Sequence, residues 1–253
     1  MREPFIFDIN RCSVSDGPGI RTTVFFKGCN LDCFWCHNPE GKSALPELAR
    51  FEEKCVGCGA CATVCTSEGE CRLCGRCVER CLNGARRIYG RKYEIGELVE
   101  IIAADKPYFD ATGGGLTVSG GECMLYPEYV AELSRACAEL GISVAVDTAG
   151  CVPYSDFEKV LPYVDLFLYD VKCLDPELHK RGTGTYNSLI LQNLERLLRD
   201  GKRIMVRTPV IHDFNEGEEL ERIKVFCAER GLEHELLPYH SFGDAKGRAI
   251  KKH

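Results

Sequence analysis

No apolar run in this chain is long enough to cross a bilayer; the hydrophobic stretches break within a few residues at polar or glycine positions. The opening MREPFIFDIN carries charge with no sustained apolar core behind it, so a secretory signal peptide and a membrane role are not expected. A basic stripe is missing too. The 32 lysines and arginines are scattered among 38 acids, for a net charge of −6, so nothing is set to neutralise a phosphate backbone and nucleic acid is not an expected partner. What the chain has in excess is cysteine. Seventeen is an odd number and fits a disulfide framework poorly in a chain of 253 residues. With no export signal, the tight spacing of most of them points to thiolate metal ligands in a reducing cytoplasmic setting, and to an anaerobic one, since exposed clusters are oxygen-sensitive.

The length allows one sizeable core and one small extra module. Six short β-rich runs alternate with helical patterns, the signature of successive βα units around a parallel sheet or barrel. They are Thr22 to Phe26, Leu116 to Ser119, Ile142 to Asp147, Leu166 to Asp170, Arg203 to Arg207 and Glu235 to Leu237. Helices are expected at Pro127 to Leu140, stopping at Gly141, at a capping box of Ser155 and Glu158, at Leu189 to Leu198, and at Leu220 to Ala228. From about Phe51 to Gly90, cysteine and glycine replace periodic apolar residues, so metal must supply what a hydrophobic core would. The division follows: residues 1–48 and 91–253 form a partial (β/α)6 barrel, and residues 49–90 an inserted module.

Cys29, Cys33 and Cys36 stand as C-x3-C-x2-C just after the first expected strand. Three thiolates are one too few for a closed tetrahedral site, whereas a four-iron cubane held this way keeps one iron open to another ligand. Zinc is the plainer alternative, but His37 is the one nearby histidine and it adjoins a ligand cysteine. Cys55, Cys58, Cys61 and Cys65 form C-x2-C-x2-C-x3-C, and Cys71, Cys74, Cys77 and Cys81 repeat it. That repeat matches two-cluster bacterial ferredoxins, in which the fourth cysteine of each run ligates the other cluster. Thr66 and Leu82 replace the proline usual after the fourth cysteine, and only TSEGE separates the runs, so cross-ligation stays open, as does a purely structural role for the module.

The triad, set in SVSDGPGIRTTVFFKGCNLDCFWCHNPE, resembles the radical S-adenosylmethionine superfamily, and within it the activating enzymes of glycyl radical enzymes. The resemblance implies an enzyme that reductively cleaves S-adenosylmethionine at a 4Fe-4S cluster on Cys29, Cys33 and Cys36. The 5′-deoxyadenosyl radical then takes hydrogen from a glycine of a partner glycyl radical enzyme. It also implies two additional 4Fe-4S clusters in the insert and a flavodoxin- or ferredoxin-type reductant. Relatives commonly continue further past the LLPYH stretch than the polar tail GDAKGRAIKKH does.

In a barrel of parallel strands, residues at the C-terminal strand ends converge on one face. Gly120, Gly121, Glu122, Asp147, Thr148, Asp170 and Lys172 stand at such ends, Arg207 closes the fifth run, and His240 follows the sixth. Singly each has a plain explanation as a turn, cap, solvated charge or ion-pair partner. Together, by resemblance, Gly120, Gly121, Glu122, Asp147, Thr148, Asp170, Lys172, His240 and the backbone at Trp35 and His37 hold S-adenosylmethionine. Asp147 and Asp170 also help bind a monovalent cation there, and Asp16, Arg207 and His37 hold the partner's glycine loop. Two other readings remain: a radical enzyme acting on a small molecule or peptide, and an iron–sulfur electron-transfer protein.

Overall fold

The computed structural model describes residues 2–67, 71–239 and 242–250. In chain order the elements are β1 (Ile6–Ser13), β2 (Arg21–Phe26), β3 (Glu47–Arg50), α1 (Ala60–Thr63), α2 (Arg76–Glu79), β4 (Arg86–Tyr89), α3 (Ile95–Ala103) and α4 (Lys106–Thr112). There follow β5 (Gly115–Gly120), α5 (Pro127–Glu139), β6 (Ser143–Thr148), α6 (Tyr154–Val160), β7 (Leu166–Asp170), α7 (Pro176–Thr183), α8 (Ser188–Arg199), β8 (Ile204–Val210), α9 (Glu218–Glu229), β9 (Glu233–Pro238) and α10 (Phe242–Ile250). None of these helices is long and apolar enough to cross a membrane.

The main sheet runs β1-β2-β5-β6-β7-β8-β9. Its last six strands are mutually parallel, and β1 lies antiparallel on β2 at the edge. This is the α/β fold expected, a mostly parallel sheet of the partial-barrel kind, with helices returning the chain between strands. Helix faces carrying Leu133, Phe157, Leu194 and Ile223 meet Val118, Val146, Phe167 and Val206 of the strands in one continuous core. Such a sheet is buried on both sides, which is why its strands read as short apolar runs.

Three expectations need correction. Helix α6 starts at Tyr154 behind Pro153, and no side-chain cap forms at its start. Ser155 lies inside the first turn, because the proline already fixes an extended entry at φ −55°. Arg207 does not end its strand; β8 continues to Val210, and Arg207 is a Cα partner of Asp170 on one side and Glu235 on the other. Strands β1, β3 and β4 were not anticipated.

One end of the sheet is sealed. Arg21, 2% exposed, donates to Thr117 Oγ1 at 2.6 Å, to the Leu116 carbonyl at 2.5 Å, and to the Pro18 carbonyl at 3.2 Å. A guanidinium so enclosed pins the β1–β2 turn against β5.

The pair β3 and β4 is antiparallel, with Glu47 opposite Tyr89 and Arg50 opposite Arg86. Among the described residues from 51 to 84, none is buried. The segment between the two strands therefore has no apolar core of its own, and it joins the rest through a small cluster of Phe7, Ala49, Tyr89 and Ala249.

Candidate active site

The cysteine loop is closed at its base by main-chain pairing. Gly28 donates to the Gly41 carbonyl at 2.8 Å, Cys29 to Lys42 at 3.1 Å, and Glu122 back to Gly28 at 2.8 Å. Further out, the Asp32 N–H reaches the Thr183 carbonyl at 2.8 Å, tying the loop to the end of α7. Trp35 anchors it from beneath, packed on Phe214 with ring centroids 4.4 Å apart, and His37 lies against Tyr239 at 5.7 Å. Lys42 donates to the Cys33 carbonyl at 3.1 Å and pairs with Asp32.

Burial pushes the thiols of Cys29 up to about 12 and Cys33 up to about 11, and raises Cys36 as well. Bare thiolates are therefore costly there, and a metal must take their charge for them to ionise. A single tetrahedral ion would draw its sulfurs to about 3.8 Å of one another. Among the described residues, three ligand atoms come within 4.8 Å of one another only at exposed His212, Asp213 and Glu216. The three thiols do not all come within that distance of one another, which suits a cluster whose separate corners each take one cysteine.

Facing the loop is a polar wall on the C-terminal half of the sheet. Asp147 accepts from Ser119 Oγ at 2.6 Å and lies 3.8 Å from Arg207 Nη1. Arg207 also reaches Glu235 at 3.0 Å and donates to the Ser15 carbonyl at 2.7 Å, which brings the turn carrying Asp16 to the same side. Asp16 itself accepts from Ser13 and Thr23 at 2.6 and 2.7 Å. Burial lifts the Asp147 carboxyl above its ordinary value, with Arg207 opposing and Asp170 reinforcing the shift. Lys172 pairs with Asp170. Burial works against its charge, but Asp170 and the nearby Cys33 outweigh it, so Lys172 holds its proton more tightly than a free lysine.

Glu122 is 1% exposed and accepts from Met124 N–H at 3.0 Å, Thr148 Oγ1 at 2.7 Å and Ala149 N–H at 2.9 Å. Its oxygens are occupied by the turns after β5 and β6, so it braces the wall from behind. Gly120 and Gly121 run against backbone: a Cβ on the first would meet the Phe26 main chain, and on the second the carbonyls of Gly28 and Gly41. His240 lies outside the described residues.

In the cysteine-rich segment, Cys81 lines the same pocket as Cys55, Cys58 and Cys61, together with Arg50, Lys54 and Arg86. The fourth cysteine of the second run thus sits with the first three of the first.

The model of the radical SAM superfamily matches residues 23–226. The chain belongs to that superfamily. Within it, the chain is a member of the glycyl-radical-enzyme activating enzymes. It is 37% identical to the trans-4-hydroxy-L-proline dehydratase activating enzyme of Clostridioides difficile, over 98% of this chain and 88% of the relative. It is 38% identical to the choline trimethylamine-lyase activating enzyme of Oleidesulfovibrio alaskensis, over 98% of this chain and 87% of that one. Among solved structures, Streptococcus suis SuiB bound to its precursor peptide SuiA superposes with a TM-score of 0.57 at 16% identity, covering 89% of this chain and 40% of that one, a likeness of fold.

In this radical SAM enzyme the fold brings Asp16, Glu122, Asp147, Thr148, Asp170, Lys172 and Arg207 to the cysteine-loop side of the sheet. Lys42 and Ser119 were not foreseen. Ser119 stands one residue before the Gly120-Gly121 pair inside an apolar run, and only the β5–β6 register, which places it beside Asp147, reveals it.

Proposed function

We propose that this activating enzyme holds its catalytic 4Fe-4S cluster on Cys29, Cys33 and Cys36 and two further 4Fe-4S clusters in the segment 49–90. Cys55, Cys58, Cys61 and Cys81 take the first of these, and Cys71, Cys74, Cys77 and Cys65 the second. The pocket shared by Cys81 with the first three cysteines supports that crossing. Absence of buried residues among the described residues from 51 to 84 supports metal as the core of the segment. One electron reaches the clusters from a flavodoxin- or ferredoxin-type carrier.

When bound, the reduced catalytic cluster and S-adenosylmethionine supply the carbon radical that removes hydrogen from a glycine of the partner enzyme. The protein's own task is to bind, orient and exclude water. Main chain at Gly120 and Gly121, where side chains are absent, and at Trp35 and His37 receives the methionine end of the cofactor. Thr148, Asp170, Lys172 and His240 complete that side, with Glu122 fixing the two turns. Asp147 and Asp170 offer hard oxygens to a monovalent cation. Asp16 and Arg207 receive the partner's glycine loop.

The observation that carries this reading is the half-buried, three-thiol loop facing a wall of Asp147, Asp170, Lys172 and Arg207. Anaerobic reconstitution followed by electron paramagnetic resonance on a candidate partner tests it. Cys33→Ala abolishes S-adenosylmethionine cleavage, and Cys74→Ala slows it. Wild-type turnover in the Cys33 variant, or deoxyadenosine formed with a metabolite and no partner protein, refutes the reading. So does material that elemental and Mössbauer analysis finds to hold only zinc.

A further inference from the structure

Three arginines, Arg50, Arg76 and Arg86, lie against thiols of the insert, and a fourth, Arg87, turns away from them. Arg50 ends β3, with Nη2 3.9 Å from Cys55 Sγ. Arg76 opens α2, lies beside Cys74, and donates to Thr66 Oγ1 at 3.0 Å. Arg86 opens β4 opposite Arg50, lines the pocket of Cys55, Cys58, Cys61 and Cys81, and lies beside the thiols of both Cys61 and Cys77. Arg87, one residue on, points to the other face of the strand, donating to Asp8 Oδ1 at 2.9 Å and standing 4.8 Å over the Tyr89 ring.

Each run's third cysteine thus meets one guanidinium. On the ligand sets proposed above, Cys61 belongs to the first insert cluster and Cys77 to the second. We infer that Arg86 sets the reduction potentials of both insert clusters together. This rests on the two-cluster reading of the insert. A fixed cation at a ligand sulfur favours the form with one more electron, and iron–sulfur potentials follow net charge and hydrogen bonds to sulfur. Arg50 reaches a ligand of the first cluster alone and Arg76 of the second alone. Arg86 is placed to move both in step, which keeps the passage of one electron between them near level. No other ionisation state than the protonated one is available to its guanidinium near neutral pH.

Redox titration of the reconstituted full chain, followed by electron paramagnetic resonance, tests the inference. The catalytic cluster is identified by its spectral response to S-adenosylmethionine. Arg86→Gln shifts both remaining steps to lower potential at unchanged iron content, and Arg86→Lys restores part of each shift. Arg50→Gln moves one step, Arg76→Gln the other, and Arg87→Gln neither. Unmoved steps in Arg86→Gln, or movement of one step alone, overturn the inference while leaving the two clusters in place. Iron in Cys33→Ala that falls to nothing overturns the two-cluster reading itself and, with it, the role of Arg86.

Discussion

The Thr148 hydroxyl donates to the Glu122 carboxylate at 2.7 Å, joining the turn after β5 to the turn after β6. Burial pushes this carboxyl up to about 7 from its ordinary 4.5, in spite of the donors at Thr148, Met124 and Ala149. The folded state therefore holds a proton that the unfolded state releases between those values. The contribution to stability is fully present below pH 4.5 and lost as pH rises through 7, about 3 kcal/mol in all.

Glu122→Gln removes that titration. It also turns an amide N–H toward a backbone or hydroxyl donor, at a cost of about 1–3 kcal/mol. Thermal unfolding across pH 4.5–8 then shows a falling curve for the wild type and a flatter one for the variant, which starts lower at pH 4.5 and is met by the wild-type curve as pH rises. Parallel curves would refute the assignment.

Arg207 is the cation facing Asp147, at 3.8 Å. Arg207→Met leaves that half-buried carboxylate without its cation, and frees the Ser15 carbonyl. The loss of stability is about 3–5 kcal/mol where Asp147 is ionised. Because burial holds the Asp147 carboxyl above its ordinary value, the loss shrinks as pH falls and the group takes up a proton. Denaturant midpoints at pH 8 and pH 5 check the difference; equal losses at both would refute it.

Five of the six parallel strands were legible because each is an apolar, largely buried run cut off by polar or glycine residues, whereas β9, at the far edge of the sheet with none of its residues buried, showed only in its short Glu235 to Leu237 run. Strand β1 was not: it lies at the sheet edge, and only Ile6, Phe7 and Ser13 of its eight residues are buried. Polar residues at strand ends stood out because they interrupt such runs. Their pairings did not, since Glu122 with Thr148 and Asp147 with Arg207 depend on register between strands far apart in the chain. Arg86 was likewise invisible, as one more basic residue in a basic-rich stretch. The capping box failed because Pro153 had already set the start of α6.

Gly121→Ala tests the closure of the cysteine loop. Its added methyl meets the carbonyls of both Gly28 and Gly41, which are themselves bonded to neighbouring main chain and have no side chain to yield. Iron bound by the Cys29 loop is lost, S-adenosylmethionine cleavage falls at least tenfold, and the insert keeps its iron. Full cleavage activity with unchanged iron would show that the loop can open without consequence.

The polar tail after Pro238 gave no helical expectation, yet α10 packs across the cysteine loop. Glu40, 2% exposed, accepts from Lys246 of this helix at 2.7 Å, while buried Lys27 donates to the Glu40 carbonyl at 2.5 Å and to Glu47 at 2.8 Å. The helix, the loop and β3 are thereby held by two ion pairs joined through a hydrogen bond to the Glu40 main chain. Contact is closest at Gly243, where a Cβ would run into the Cys36 carbonyl; at Gly247 it would meet the Pro39 ring at an ordinary 3.7 Å. Alanine is favoured over glycine within a helix by about 1 kcal/mol, so Gly247→Ala is neutral or slightly stabilising. Gly243→Ala lifts α10 from the loop and lets water and oxygen reach Cys36. Anaerobic reconstitution still fills the site, but the visible absorbance of the catalytic cluster bleaches in air severalfold faster than in the wild type or the Gly247 variant. Equal bleaching in both variants would show that this helix does not shield the cluster.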